Sequence, residues 1–344
     1  MKTFSIVGAC LLAALCSIPA FVPVCSAAEN IKEAVKLKLA TAYSADNFQT
    51  QNIQHFADQV KLATDGHVDI GIYPAGELLK PTLIFNGVRE GITAQAGEVI
   101  MSNLAEENVV FRLDSLPFLV NNYEDAQRLW KLSRPAIEKA LDERGVVLLY
   151  AVPWPPQNLY STRPINSVAD FKGLKMRSYN AMTERISQIT GASPVTIQVI
   201  DLAKAIADKK VDLMLTSSWT GGETRAWSGM KYYYKVNAWI PKNIVFINKA
   251  AFAKLTQDAQ KKMLAAAQEA ETRGWKLCKE KDAEFESQLA GHNMAISDIN
   301  PYVRNFLDLA GEKLAREQLK INSLGDAQEL AHILTRYTTE GSFR

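Results

Sequence analysis

Segments with strand spacing and segments with helix spacing alternate from residue 35 onward, and few folds accommodate such an alternation. Residues 35–40 (Val-Lys-Leu-Lys-Leu-Ala) place apolar side chains at every second position, the period of a half-buried strand. Between 48 and 64, Ile53, Phe56, Val60 and Ala63 fall on one face of a helix, and Gly66 supplies its C-terminal stop. A second strand follows at 68–73, then a short helix at 83–89 and a short strand at 98–101. Residues 123–144 read as a helix interrupted at Pro135, and the apolar run 146–151 reads as a buried parallel strand. This order implies an α/β layered sheet whose crossover helices cover its faces. At 344 residues the chain has length for two domains, each with a full core.

The character changes at 152–158 (Val-Pro-Trp-Pro-Pro-Gln-Asn), a turn-rich stretch suited to a crossing between domains. Beyond it the alternation resumes, with strands at 174–176, 195–197, 211–216 and 243–248 and helices at 181–190 and 202–208. Thr256 caps a helical pattern that runs to about Leu289, far beyond the average globular helix of about 11–12 residues and long enough to span two lobes. Asn300-Pro301 opens another helix, and 326–335 is helical too. At the N-terminus, Lys2, the apolar run 6–15 and the small residues Ser26-Ala27-Ala28 have the layout of a secretory signal cut after Ala28. Its apolar core is shorter than the ~20 residues of a membrane span. Export through such a signal takes the mature protein out of the cytoplasm. Three of the four cysteines lie in this leader, so a disulfide framework is excluded and Cys278 reads as a structural thiol.

Charge and motifs exclude more than they assign. Lys and Arg number 39 against 37 Asp and Glu, which gives no electrostatic case for nucleic acid or an anionic membrane surface. The chain lacks a glycine-rich phosphate loop, a His-Glu-x-x-His pair, a Cys-x-x-Cys pair and a Gly-x-Ser-x-Gly elbow. His55, His67, His292 and His332 are scattered and have no metal-ligand spacing. No catalytic residue, metal ligand or cofactor is therefore assigned. Aromatic residues concentrate instead in the second half: Trp154, Trp219, Trp227 and Trp239, with Tyr160, Tyr179 and Tyr232-Tyr233-Tyr234. They either fill a core or line a ligand pocket. Trp154 among prolines and Trp219 beside Gly221-Gly222 fall in turns near strand ends, where open α/β sheets bind ligands.

Residues 161–177 (STRPINSVADFKGLKMR) resemble the hallmark segment of DctP-type solute-binding proteins of TRAP transporters. Tyr73-Pro74-Ala75-Gly76-Glu77-Leu78, Leu116-Pro117-Phe118, Gly191-Ala192-Ser193-Pro194 and Lys210-Val211-Asp212 resemble further family segments in the same order. The resemblance covers essentially the whole mature chain. It implies a two-lobed α/β periplasmic binding-protein fold, with a ligand cleft between the lobes and a long C-terminal helix. Lobe I is expected from 29–152 plus 249–344, and lobe II from 153–248. It also implies a non-catalytic protein that captures a small organic monocarboxylate by cleft closure and delivers it to TRAP transporter membrane subunits.

In that family the Arg ending the hallmark segment binds the ligand carboxylate. Here the position is Arg177, and a guanidinium's planar two-donor fork suits the role. Asn180 matches a family polar contact. Gln157 stands where sialic-acid-type members carry a second ligand Arg, and the run 213–219 is less polar than in the family, leaving Thr216 and Ser217 as hydroxyl donors and Trp219 as a wall. Tyr43, Phe48, Met101, Trp154 and Trp239 complete the expected lining by their order along the chain. A ligand with an apolar body is expected from this lining, such as a 2-keto or aryl acid. Alternatives are a sugar acid or dicarboxylate within the family, a sensor role for the same cleft, or a secreted hydrolase or isomerase.

Overall fold

The computed structural model describes residues 34–320 and 324–341, together with Met1, Thr3 and Ser5. Apart from those three residues, the expected leader at 1–28 lies outside the described residues. The strands are β1 (Val35–Ala40), β2 (Val68–Tyr73), β3 (Ala96–Ile100), β4 (Val146–Pro153), β5 (Asn158–Ser161), β6 (Lys175–Ser178), β7 (Ser193–Thr196), β8 (Leu213–Thr216), β9 (Tyr232–Lys235), β10 (Lys242–Asn248) and β11 (Ala295–Asp298). The helices are α1 (Phe48–Ala63), α2 (Ile84–Glu90), α3 (Tyr123–Asp142), α4 (Ala181–Thr190), α5 (Val199–Ala207), α6 (Ser218–Glu223), α7 (Lys249–Ala253), α8 (Gln257–Gly291), α9 (Pro301–Lys320) and α10 (Leu324–Gly341).

The strands form two sheets, in the orders β2-β1-β3-β10-β4 and β11-β9-β5-β8-β6-β7. The architecture is the two-lobed α/β fold expected from the sequence. β1 pairs in parallel with β2 (Leu37 opposite Ile70) and with β3 (Leu39 opposite Ala96), as crossover helices require. Crossover α1 starts where the Asn47 side chain accepts from the Gln49 N–H, and it buries Phe48, Ile53, Phe56 and Val60. Past its end at Thr64, Gly66 takes the left-handed conformation that a side chain disfavours.

Three expectations change. The apolar strand β4 is not parallel: its one strand partner is β10, which runs antiparallel to it (Ile244 opposite Ala151). Its continuous apolar pattern reflects the burial of seven of its eight residues, and helix α8 covers its free edge. The Ala151 N–H donates to Glu271 at 2.9 Å, and the Ala151 carbonyl accepts from Trp275 Nε1 at 3.2 Å. Helix α3 runs through Pro135 without ending; a proline inside a helix removes one N–H donor, and packing holds the rest. Sheet membership also departs from the expected chain order, because it is decided by pairing. β10, expected in the second lobe, lies in the first sheet, and β11, expected in the first, lies in the second.

The chain passes between sheets at 154–157 and back at 236–241. These two crossings bond to each other: Trp154 N–H to the Pro241 carbonyl (2.8 Å), Gln157 N–H to Trp239 (2.9 Å) and Ala238 N–H to Gln157 (2.9 Å). Pro155, Pro156 and Pro241 restrict their backbones. The 35-residue helix α8 packs on α1 and β4 of the first lobe and on α6 of the second. Cys278, on this helix, is buried 3.6 Å from the Tyr123 hydroxyl.

Gly274 marks the closest approach of α8 to the first sheet. A Cβ there would stand 2.4 and 2.8 Å from the Val152 methyls and 2.9 Å from Asn52 Nδ2. Replacing a helical glycine by alanine ordinarily gains about 1 kcal/mol. Here the overlap outweighs that gain, and Gly274→Ala should destabilise the protein by about 1–2 kcal/mol in urea unfolding. An unchanged or raised midpoint would show that the helix shifts freely off the sheet.

Candidate functional site

Between the two sheets, beside the crossings, lies a small cavity of about 60 Å³. Its wall includes Tyr43, Glu98, Trp154, Gln157, Arg177 and Thr216. Arg177 projects from β6, where alternation puts it on the opposite face from the buried Met176. Its Nε donates to the Ile197 carbonyl at 3.0 Å, and its guanidinium lies 4.9 Å from the centre of the Tyr179 ring. Among the described residues no carboxylate forms an ion pair with it. Burial lowers its pKa to about 10, partly offset by Tyr179 and Tyr43, so it remains a cation at neutral pH. A buried cation without a counter-ion is costly to hold, and an anion entering the cavity relieves that cost.

The opposite side of the cavity is a hydrogen-bond network on the first sheet. Glu98 of β3 accepts from the Thr41 hydroxyl and, at 2.8 Å, from Asn243 Nδ2. The Asn243 oxygen accepts in turn from Trp154 Nε1 at 2.8 Å and from the Tyr43 hydroxyl at 3.4 Å. Both wall aromatics are thereby tied to β10. Burial raises the Glu98 carboxyl from 4.5 to about 7, against the lowering effect of its two donors.

Of the expected site residues, Arg177, Trp154, Gln157, Thr216, Ser217 and Tyr43 meet at this cavity. The Gln157 amide donates to the Pro155 carbonyl at 2.9 Å, and the Ser217 hydroxyl donates to Thr220 Oγ1 at 3.0 Å. Five expected residues lie elsewhere. Phe48 and Trp219 form the layer behind the wall: Phe48 packs edge-on to Trp154 at 5.2 Å, Trp219 packs on Phe48 at 4.8 Å, and Trp219 meets Phe285 of α8 at 4.4 Å. Met101 and Trp239 are buried and are not part of the cavity lining. Asn180 caps helix α4 through the Thr183 N–H and donates to Ser102 Oγ of the other lobe at 2.9 Å. It lines an adjoining hollow of about 250 Å³, which shares Asn103, Tyr179 and Gln198 with the cavity.

Glu98, Asn103, Tyr179 and Gln198 were not anticipated. Two of them carried a signal. Tyr179 stands two residues after Arg177, on the same side of an extended strand. Glu98 is a carboxylate inside the otherwise apolar strand Ala96-Gly97-Glu98-Val99-Ile100.

Residues 39–320 match the family model of DctP, the bacterial extracellular solute-binding proteins of family 7. The chain belongs to this family. It is 35% identical to DctP7, a Bordetella pertussis extracytoplasmic solute receptor whose crystal structure is described as binding pyroglutamic acid; the match covers 88% of this chain and 100% of that one, with a TM-score of 0.85. A TRAP solute-binding protein from a marine metagenome, described as specific for pyroglutamate, is 32% identical over 90% of this chain and 100% of its own, also at a TM-score of 0.85. The sialic acid-binding periplasmic protein SiaP of Vibrio cholerae is 22% identical, with 80% of this chain and 88% of that protein covered. The family is one of TRAP-type extracytoplasmic receptors, and its members act outside the cytoplasm.

The raised Glu98 carboxyl makes ligand-free stability depend on pH. A carboxyl whose pKa is higher in the folded state binds its proton there first, so its contribution is fully present below the unfolded value of 4.5 and is lost as pH rises through about 7. Asp114, raised to about 6 by burial, acts in the same direction. Wild-type stability should therefore fall between pH 4.5 and 7.5, and Glu98→Gln should remove a part on the order of 3 kcal/mol. Equal pH profiles for the two proteins in denaturant titrations would place the Glu98 carboxyl at its ordinary value.

Proposed function

We propose that this protein is the receptor component of a TRAP transporter and that its cargo is a compact monocarboxylate with a planar ring, of which pyroglutamate is the leading example. The observation that carries the reading is the buried, unpaired guanidinium of Arg177 in the wall of a small cavity. A carboxylate there completes a two-donor, charge-assisted contact in a site shielded from water. The pyroglutamate ligands of the relatives above 30% identity support the choice of cargo.

The lining supports a more polar ligand body than an aryl acid. With Trp219, Trp239, Met101 and Phe48 outside the lining, the aromatic walls are Tyr43, Trp154 and Tyr179, which suit a flat ring. Gln157, Thr216, Asn103 and Gln198 supply neutral polar groups. A branched 2-keto acid uses the same cation and ranks second. A dicarboxylate or sugar acid would bring more charge or hydroxyls than these groups satisfy.

Mechanistically, the ligand joins Arg177 on the second sheet to groups on the first, and its affinity is greatest when the lobes are together. The bonded crossings at 154–157 and 236–241 serve as the hinge. We assign residues up to 153 and strand β10 to one lobe, and 158–235 with β11 to the other. The closed receptor then hands its cargo to the transporter's membrane subunits, and no chemical step on the ligand is involved.

In thermal-shift and calorimetric titrations, pyroglutamate should stabilise the wild type more than branched 2-keto acids, and uronic acids least. Arg177→Met should lose at least ~100-fold in affinity while the ligand-free variant melts no lower than wild type, because it removes an uncompensated buried charge. Retained affinity in Arg177→Met would overturn the assignment of the carboxylate to this residue.

A further inference from the structure

The cavity carries opposite hydrogen-bonding characters on its two sides. Arg177, from the second sheet, offers only donors. Glu98, from the first, offers an acceptor that the protein itself leaves half used. An ionised carboxylate has about four lone-pair positions, and among the described residues two donors reach this one: Thr41 Oγ1 and Asn243 Nδ2. The Asn243 amide has no freedom to turn round, because its oxygen is held by Trp154 Nε1 and the Tyr43 hydroxyl. Its NH₂ group therefore faces Glu98 and fixes that carboxyl as an acceptor. Glu98 and Arg177 also do not neutralise each other: the groups that act electrostatically on Arg177 are Tyr179 and Tyr43.

We propose that Glu98 accepts a hydrogen bond from an N–H group of the bound monocarboxylate, so that the site selects a cyclic amide over an otherwise identical ester. This assignment rests on the compact-monocarboxylate reading above and adds to it the second point of attachment. Ligand held this way spans the cleft, with its carboxylate on the second sheet and its N–H on the first. A site built around a buried acceptor discriminates strongly against a ligand that lacks the donor, because the acceptor is then left unpaired.

Ionisation of Glu98 gives the contact a pH dependence. The groups facing it from neighbouring elements are Tyr43 after β1 and Tyr150 on β4, both raised by burial and neutral throughout, with Arg177 and Tyr179 across the cavity, which titrate at about 10 and about 12. Glu98 is therefore the group that changes charge near neutrality, at about 7. If only the ionised form accepts well, about a tenth of the sites are competent at pH 6, and apparent affinity falls by that factor.

The experiment compares pyroglutamate with 5-oxotetrahydrofuran-2-carboxylate, its lactone analogue with oxygen in place of N–H, by calorimetry on the mature protein. Wild type should prefer the lactam at least tenfold at pH 8 and bind it about tenfold more weakly at pH 6. Glu98→Gln, which keeps an acceptor oxygen but cannot ionise, should lose the pH dependence, and Glu98→Met, which has no acceptor, should lose the preference. Equal affinity of wild type for lactam and lactone overturns the role of Glu98 while leaving the carboxylate reading intact. So does a preference that survives in Glu98→Met. Binding of neither compound by wild type overturns both.

Discussion

A guanidinium held in a cavity wall without a carboxylate partner is the constraint around which the rest of the structure is arranged. Arg177 is 4% exposed, and its one hydrogen bond among the described residues is to the Ile197 carbonyl. In ordinary cores such a charge is paired or excluded. Here the tolerated cost is partly relieved by the Tyr179 ring, whose face attracts a cation. The unfavourable term that remains is the one a carboxylate would remove. Near-neutral net charge fits the proposed role of Arg177, in which acid recognition rests on one placed cation and not on a basic surface.

For one cation to act across two lobes, the lobes need a defined relationship, and three features define it. The paired crossings join the sheets by backbone hydrogen bonds next to the cavity. Helix α8 offers Asp282 to both sides at once: the Tyr123 hydroxyl of α3 donates to one oxygen at 3.1 Å and Ser218 Oγ of α6 to the other at 2.7 Å. At the other end of α6, Glu223 accepts from Ser44 and from Asn47, the residue that caps α1. Asn47 and Asn180 thus each start a helix and also reach across to the other lobe. Polar side chains at these contacts break and reform in water at little cost, unlike a dry apolar seam.

Most of the fold was legible in the sequence because helix and strand periods are local. α1, β1, β2, α4 and the length of α8 follow from spacing and caps alone. Strand direction and partner are not local, and β4, with its uninterrupted apolar run, looked parallel although a helix and not a second strand covers its free edge. Short strands β5, β9 and β11 offered four residues each, too few for a period to show, and the tyrosines of β9 read only as an aromatic cluster. At the site, Arg177 was legible because its segment is distinctive. Trp219 and Trp239 were placed by loop position, which says which end of a strand a residue occupies but not which way its side chain turns. Asn180 shows a related ambiguity: the same amide that resembles a ligand contact is satisfied by capping α4 and bonding Ser102.

The wall facing Arg177 is organised by the protein's own hydrogen bonds. Two donors, from Trp154 and Tyr43, converge on the Asn243 oxygen, and this convergence settles the orientation of the amide without reference to the ligand. Behind them, Phe48, Trp219 and Phe285 continue the aromatic contacts to α8, so the wall leans on the same helix that couples the lobes. Rigid aromatic walls restrict ligand shape through packing, and they lose little side-chain entropy on binding because their rotamers are already fixed. Ligand shape is restricted by contacts internal to the protein, and under the proposed closure the lobes come together when Arg177 meets a carboxylate.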